Sequence, residues 1–465
     1  MQIVPDLIDK ISDSIQILCD NELDKMAIYN IFLARFSSVI GSKNILTDSC
    51  RHIKPYPLAY YGVNLLASGG NKNKPLTAIN KIFDWIDTEY NTKNQSIKDN
   101  NFNNLLVKNQ ELPTKKRESI EQLEQKADSF LKLKSMVNGA NMQKIYAICE
   151  QISKTGYGSL FFYETEFIKK FENKITNKTN NDVIDMIYNL YDGEPDYTDT
   201  VMFDRGKIEN ISCNVCFASD YSRLLKNKKT DKEFRAYLQD GFSRRIFLYT
   251  SQRINPLLNK VKMPEIDEIQ TAQNLLTSYS ATLKGIYDCI NEHTIYSFDN
   301  EANKVIHNYN KEKENEIKQR FSYAEIINDD DEILKVDLKG STWKIVKLSF
   351  LFNFIQYPYD KEVKPDSVQL AINYYKEFYK HLETFLKRRS LDEFDNYKVF
   401  IYKNLDKEMT FNDEFRKGLN IHHNKWVEFG KTTLNELIND LAEENIYMYK
   451  GKIGRKDSIM FYKKE

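Results

Sequence analysis

Over residues 1 to about 50 the apolar positions recur three and four apart: Ile8, Ile11, Ile15 and Leu18, then Met26, Tyr29, Leu33 and Phe36. That period lays one stripe along each of two helices. The pattern changes at Tyr56. "PYPLAYYGVNLLA" has two prolines and then an unbroken apolar run with β-branched and aromatic members, which predicts a buried strand. Three further runs of this kind follow: "SLFFYETEF", "ISCNVCFAS" and "SRRIFLYTS". Between them "ESIEQLEQKADSFLKLKSMV" and "MQKIYAICEQISKT" return to helical spacing, with Asn138-Gly139-Ala140-Asn141 as a turn and Gly156 as a stop. Helices alternating with short apolar strands over residues 55 to 250 predict an α/β sheet with helical crossovers. Residues 87–119 are polar and rich in Asn and Lys, and read as a surface excursion, partly mobile.

Beyond residue 261 the chain reads as mostly helical to 395, interrupted at "NDDDEIL", with "WKIVKLSFLFNFIQY" and "PDSVQLAINYYKEFYKHLETFL" as two packed helices. No internal repeat is visible. The expected organisation is a helical region over 1–50, an α/β core over 51–260, a helical lid-like region over 261–395 and a compact unit over 396–465.

Composition narrows the function classes. The 465 residues suit two or three domains, and 41% hydrophobic content is enough for a sizeable core. Lys+Arg and Asp+Glu balance at 67 each, so a nucleic-acid partner must be argued from local patches. No stretch approaches the roughly 18 apolar residues of a membrane span, and the N-terminus lacks the basic and small-residue marks of a signal peptide. The expectation is a soluble cytoplasmic protein. Six cysteines, with only Cys213 and Cys216 close together, fit a reducing compartment and buried thiols better than zinc, which needs four ligands. His422-His423 is an unpaired doublet and reads as loop.

The chemistry concentrates after the first strand. Ser68-Gly69-Gly70-Asn71-Lys72-Asn73 sits between a strand and a helix, the setting of a phosphate-binding loop. There the glycines let backbone N–H groups wrap phosphates, the lysine neutralises them, and a hydroxyl holds Mg²⁺. Asn71 stands in place of the second glycine and Asn73 in place of Ser/Thr, so an ordinary glycine turn is the competing reading. The second strand ends in Glu164-Thr165-Glu166, where an ATPase keeps its metal partner and its water-polarising base. Glu166 is the favoured base, with Glu164 or Asn73 toward Mg²⁺. Asn214 in the third strand either senses the γ-phosphate or bonds the loop. Arg244 or Arg245, after a glycine turn, would reach a neighbouring subunit's nucleotide.

In their order, "YGVNLLASGGNKNKPLTAI", "NGANMQKIYAICEQI", "GSLFFYETEF", "YDGEPDYTD", "ISCNVCFAS", "DGFSRRIFLY" and "WKIVKLSFLFNF" resemble a family of P-loop ATPases of phages, plasmids and other mobile elements. That family is known as primase–helicase-like or replicative-helicase-like, and the resemblance spans residues 50 to 390. It implies an α/β P-loop NTPase core (RecA/AAA+-like), with ATP and Mg²⁺ as cofactors, DNA as partner and a hexameric ring. It matches Ser68, Gly69 and Lys72 to the loop, Glu166 to the acidic strand end, Asn214 to the sensor and Arg244 or Arg245 to the arginine. Asn73, and Thr165 where Asp is usual, depart from the family pattern, which leaves a catalytically degenerate scaffold as the rival reading. A packaging or transposition motor would share the same ATPase.

The last unit follows a winged-helix outline. A helix candidate, "FNDEFRKGL", is followed by "TTLNELINDLAEEN" and by two strands, "IYMYKG" and "SIMFYKK". Residues 446–465 hold six Lys/Arg against two acids. Lys450, Lys452, Arg455 and Lys456, with Tyr447, Tyr449, Phe461 and Tyr462 interleaved, suit phosphate contact beside a packed or stacking face.

Overall fold

The four apolar runs pair into one parallel sheet. The structure, a computed structural model, describes residues 2–20, 23–48, 54–66, 73–130, 132–137, 142–168, 179–193, 199–200, 203–204, 208, 210–221, 224, 228–251, 263–321, 329–387, 392–419, 421, 426, 429–430, 433–442, 445–454 and 456–463. In chain order its strands are β1 (Leu46–Thr47), β2 (Tyr56–Pro57), β3 (Tyr61–Leu66), β4 (Leu160–Glu164), β5 (Asp199–Thr200), β6 (Phe203–Asp204), β7 (Cys213–Asp220), β8 (Ile246–Thr250), β9 (Ile295–Phe298), β10 (Glu362–Val363), β11 (Met409–Thr410), β12 (Ile446–Ile453) and β13 (Lys456–Lys463). The central sheet has the order β4-β7-β3-β8, with every neighbouring pair parallel. The spatial order therefore differs from the chain order: the acidic strand β4 is separated from β3 by β7, instead of lying beside it. A smaller sheet, β10-β9-β1-β2, joins the N-terminal segment to the helical region.

One face of the central sheet is covered by the helix Lys25–Gly41. Asp24 starts it, accepting from the Met26 N–H at 2.8 Å, and every residue from Ala27 to Gly41 is buried. A helix apolar nearly all round belongs inside a protein. Among its buried polar residues Asn30 is satisfied by the sheet: its Nδ2 donates to Asn64 Oδ1 and to the Phe247 carbonyl, both at 3.0 Å, and its Oδ1 accepts from the Tyr60 hydroxyl at 2.7 Å. Gly62 permits this approach, since a Cβ there would come within 2.5 Å of Asn30 Oδ1. On the opposite face lies the helix Thr179–Asp192. The ring of Tyr61 meets that of Tyr191 at 4.7 Å, and its hydroxyl donates to the Ile187 carbonyl at 2.5 Å.

The two long predicted helices are present as Asp329–Gln356 and Pro365–Lys387, packed together. One hydrophobic core runs from Val4 to Leu386, so the N-terminal helices and the 261–395 region share it with the sheet. A second core, from Tyr397 to Phe461, belongs to the C-terminal unit. There the expected helix Thr433–Ala442 and the hairpin β12–β13 are present, with β11 added to the sheet as β11-β13-β12. "FNDEFRKGL" instead forms a π-helical turn, Phe411–Phe415, continued by Arg416–Gly418.

The polar stretch 87–119 is more ordered than its composition implied. It is helical from Trp85 to Glu111, and Ile86, Tyr90 and Asn94, four apart, are its buried residues. Asn94 anchors the helix by donating to the Leu133 carbonyl and accepting from the Leu133 N–H, each at 2.9 Å. The rest of this helix is mainly exposed, as a surface element should be.

Three charged side chains are buried between the helix Asp329–Gln356 and the sheet. Lys344 pairs with Asp337 at 2.5 Å and donates to the carbonyls of Ser243 at 3.1 Å and Ile246 at 3.0 Å. Tyr375 donates to the other Asp337 oxygen at 2.7 Å. One turn on, Lys347 donates to the Tyr191 carbonyl and stands 3.9 Å above the Tyr191 ring centre. Burial pushes the Lys347 ammonium down from 10.5 to about 7; Arg245 adds to the fall and Asp192 opposes it. In the unfolded chain the same group titrates near its ordinary value. Between about pH 7 and 10.5 the unfolded state thus binds more protons than the folded state, and stability rises with pH there by up to about 1.4 kcal/mol per unit. This contribution is full above the unfolded value and is lost as pH falls toward the folded one. In urea titrations across that window, Lys347→Met should flatten the pH slope relative to the wild type. An unchanged slope would mean that Lys347 reaches water.

Candidate functional site

All four strands of a parallel sheet end at the same edge. Here that edge carries Leu66 of β3, Asp220 of β7 opposite it, and Thr250 of β8 opposite Leu65. Glu164, the last residue of β4, is level with Phe217, so the turn after it climbs toward the end of β7. Ser68, Gly69, Gly70, Asn71 and Lys72 lie outside the described residues, but the strand before them and the helix after them, Asn73–Ile82, are as expected. Asn73 is exposed at the first position of that helix. Its carbonyl accepts from the Thr77 hydroxyl at 3.0 Å. A helix start at such a strand end presents backbone N–H groups to whatever sits above it.

The turn after β4 is held down by its apolar residue. Phe167 stacks on Phe217 with ring centres 4.0 Å apart, and the Ile168 N–H donates to Ser219 Oγ at 3.3 Å. With Phe167 buried beneath it, Glu166 is left exposed, and Glu164 is half-buried. Among the described residues no three His, Cys, Asp or Glu side chains are grouped to hold a metal ion.

Asn214 is not at this edge. It is the second residue of β7, paired with Phe161, at the amino end of the sheet. Its amide is engaged: Oδ1 accepts from the Tyr60 N–H at 2.9 Å and Nδ2 donates to Ser212 Oγ at 3.0 Å. It pins the segment entering β3, and the sensor role does not fit it. Ser219 and Asp220 are the polar residues that β7 brings to the carboxyl edge. Thr250 does the same for β8, and its buried hydroxyl has no hydrogen-bond partner among the described residues. Position in the strand would have singled these out, because polar groups at a parallel sheet's carboxyl ends face the usual ligand crevice.

The two arginines separate. Arg245 is buried: it pairs with Asp192, donates to the Gly241 carbonyl at 3.0 Å and lies 4.6 Å over the Tyr188 ring. That commits it to the fold and removes it as a candidate for reaching a neighbour. Arg244 keeps half its side chain in solvent, with Asp192 3.7 Å away. The turn between them and the preceding helix needs Gly241, whose φ of +107° few L-residues adopt. Gly340 then backs onto Arg244, where any Cβ would fall within 2.2 Å of the Arg244 Cβ.

Cys213 and Cys216 are three apart on β7 and so project from opposite faces, Cys216 accepting from Asn64 at 3.7 Å. Burial holds the Cys213 thiol up at about 12. Both are core thiols. In the C-terminal hairpin Lys450, Lys452 and Lys456 are exposed, and Lys456 meets Asp413 at 2.7 Å. Phe461 is buried whereas Tyr447, Tyr449 and Tyr462 are not. Arg455 and His422-His423 lie outside the described residues.

Replacing Asn214 by Ala strands the buried Tyr60 N–H. Stability measured by chemical denaturation should fall by about 1–3 kcal/mol, with no change in ligand binding at the opposite edge. A loss of nucleotide binding without a loss of stability would restore Asn214 to the site.

No protein-family model matches the chain, and no curated protein matches it in sequence.

Proposed function

We propose that the chain binds ATP with Mg²⁺ at the carboxyl edge of its central sheet and hydrolyses it as a ring-forming ATPase acting on DNA. This is the replicative-helicase-like work of phages and mobile elements. One observation carries the reading. A parallel sheet sends β3 into a Ser-Gly-Gly-Asn-Lys loop and a helix, while β4, one strand removed, delivers Glu164-Thr165-Glu166 to the same edge.

In this reading the core is a P-loop NTPase of the RecA/AAA+ kind, with 261–395 as its lid and a winged helix at 396–465. The backbone of Ser68 to Asn71 wraps the phosphates, and Lys72 neutralises the β and γ oxygens. Asn73 or Glu164 holds Mg²⁺, and Glu166 orients the attacking water. Arg244, half-exposed beside the Gly241 turn, completes a neighbour's site in a hexamer. Phosphoryl transfer rests on positioning and charge stabilisation, so these parts are sufficient. Lys450, Lys452, Arg455 and Lys456 supply phosphate contacts to DNA. No helix among the described residues is long and apolar enough to cross a membrane.

The rival is a scaffold that kept the fold and lost hydrolysis. It is favoured by Asn71, Asn73 and Thr165 at positions where the chemistry prefers Gly, Ser/Thr and Asp.

Millimolar ATP with Mg²⁺ should raise the melting temperature through mass action, and Lys72→Ala should abolish both that shift and turnover. Glu166→Gln should keep the shift and lose turnover by about a hundredfold or more. No shift with any nucleotide would select the scaffold. For the subunit arginine, Arg244→Ala alone should lose turnover with nucleotide affinity retained. Mixing it with Lys72→Ala subunits should restore part of the rate, because each variant repairs the other's interface. Failure of every mixing ratio would place the arginine's action within its own subunit.

A further inference from the structure

Two lysines on the helix Asp329–Gln356 are buried three residues apart and are provided for differently. Lys344 commits all three of its N–H donors, to Asp337 and to the carbonyls of Ser243 and Ile246. Lys347 has one acceptor among the described residues, the Tyr191 carbonyl, and beyond it only the face of the Tyr191 ring. Asp192, the acid whose field reaches it, is bonded to Arg245 instead. A buried ammonium with two idle donors is costly, whereas a neutral amine is content with the carbonyl. The surroundings thus suit Lys344 as an ion and Lys347 as an amine open to a proton. The groups facing Lys347 are few. The helix Thr179–Asp192 brings Tyr191 and Asp192, the turn before β8 brings Arg245, and β7 brings the Cys213 thiol. Tyr61 of β3 meets both Tyr191 and Cys213. Burial raises the two phenols and the thiol, so all three stay neutral. Asp192 is shared further: Arg244, half in solvent, stands 3.7 Å from the oxygen that Arg245 holds. Asp192 ends its helix, where the dipole disfavours an acid, so it depends on these cations. Lys54 adds a longer bond to the next carbonyl, Gly193, at 3.4 Å.

We propose that this cluster is a pH-sensitive clasp on Arg244: when Lys347 takes up a proton, Asp192 is drawn to the new ammonium and lets Arg244 go into solvent. With Lys347 neutral, one carboxylate faces two guanidinium groups. With Lys347 protonated it faces three cations, and the least enclosed of them leaves. Arg245 cannot be that one, because it is buried, bonded to the Gly241 carbonyl and covered by the Tyr188 ring. Arg244 can, because its approach to Asp192 is the longer and its side chain is half-exposed. The switch falls at ordinary pH because burial brings the Lys347 ammonium down to about 7. Proton uptake occurs as pH falls through that value, so Arg244 is held above it and released below it. The release concerns the side chain alone; its use on a neighbouring subunit rests on the reading proposed above.

The test treats the full-length chain with phenylglyoxal on both sides of neutral pH and measures the adduct at Arg244 by peptide mass spectrometry. The reagent's own reactivity changes with pH, so each rate is taken relative to Lys347→Met at the same pH. That relative rate should be level on the alkaline side and rise about two- to fivefold on the acid side, the worth of one exposed ion pair. Asp192→Asn, which keeps an acceptor for Arg245, should label fast at every pH. A relative rate that stays level throughout overturns the clasp. So does an Asp192→Asn chain that labels as slowly as the wild type in alkali. Should Lys347→Met fail to fold, the ratio of wild type to Asp192→Asn replaces it: it climbs toward one in acid if the clasp opens, and a constant ratio refutes it. Turnover decides the separate reading. Arg244→Ala with turnover intact would remove the action in trans and leave the labelling result standing.

Discussion

The side chain of Asn30 sets where everything else in this core can go. It is a polar group on a fully buried helix, set against the sheet, and its bonds to Asn64, Phe247 and Tyr60 are available at only one depth and rotation. A dispersion contact tolerates small slides; a buried amide with three partners does not, because any slip leaves a donor or acceptor unpaired in low dielectric. The Tyr60 hydroxyl passes the constraint on to Tyr374 at 2.8 Å, on the helix Pro365–Lys387. One amide thus ties the N-terminal layer, two neighbouring strands and a C-terminal helix into a fixed arrangement. The position and direction of β3 follow from it.

A second set of buried polar groups fixes the turn before β8. Lys344 caps the carbonyls of Ser243 and Ile246, Lys347 reaches Tyr191, and Arg245 closes on Asp192. Pairing a buried charge stabilises it only when its remaining hydrogen-bonding capacity is also met, and here the carbonyls of Ser243, Ile246 and Tyr191 meet that of the lysines on the helix Asp329–Gln356. The glycines at 241 and 340 let this helix and the turn approach closely enough for those bonds to form. Arg244 projects from the rigid result. A displacement of the helix would therefore be felt at Arg244 without passing through the sheet.

Periodicity made most of the fold legible. Each central strand was visible as a short apolar run because a strand buried on both faces has no reason to alternate. The two long helices after residue 328 were visible from their spacing. Strand order was not legible, because β7 takes its place between β3 and β4 through pairings distant in sequence. The stretch after Trp85 misled for a related reason: Ile86, Tyr90 and Asn94 are too few to dominate a polar composition, although they are enough to dock a helix. In the candidate site, residue type without position was the weak point. Asn214 and Arg245 had suitable chemistry and turned out to be consumed by the fold, whereas Ser219 and Thr250 were passed over because nothing in their neighbours marks a strand's end.

That contrast separates two kinds of polar residue. Asn30, Asn214, Arg245, Lys344 and Lys347 are buried away from the carboxyl edge, and each has partners that would be stranded by its removal. At the carboxyl edge the exposed Asn73 and Glu166 gain nothing from burial, and the enclosed Thr250 hydroxyl is left without a described partner. A buried hydroxyl without a described partner, as at Thr250, adds nothing to the stability of the fold that encloses it. The proposed nucleotide site needs donors and acids with capacity in reserve. At the carboxyl edge Thr250 is one such group.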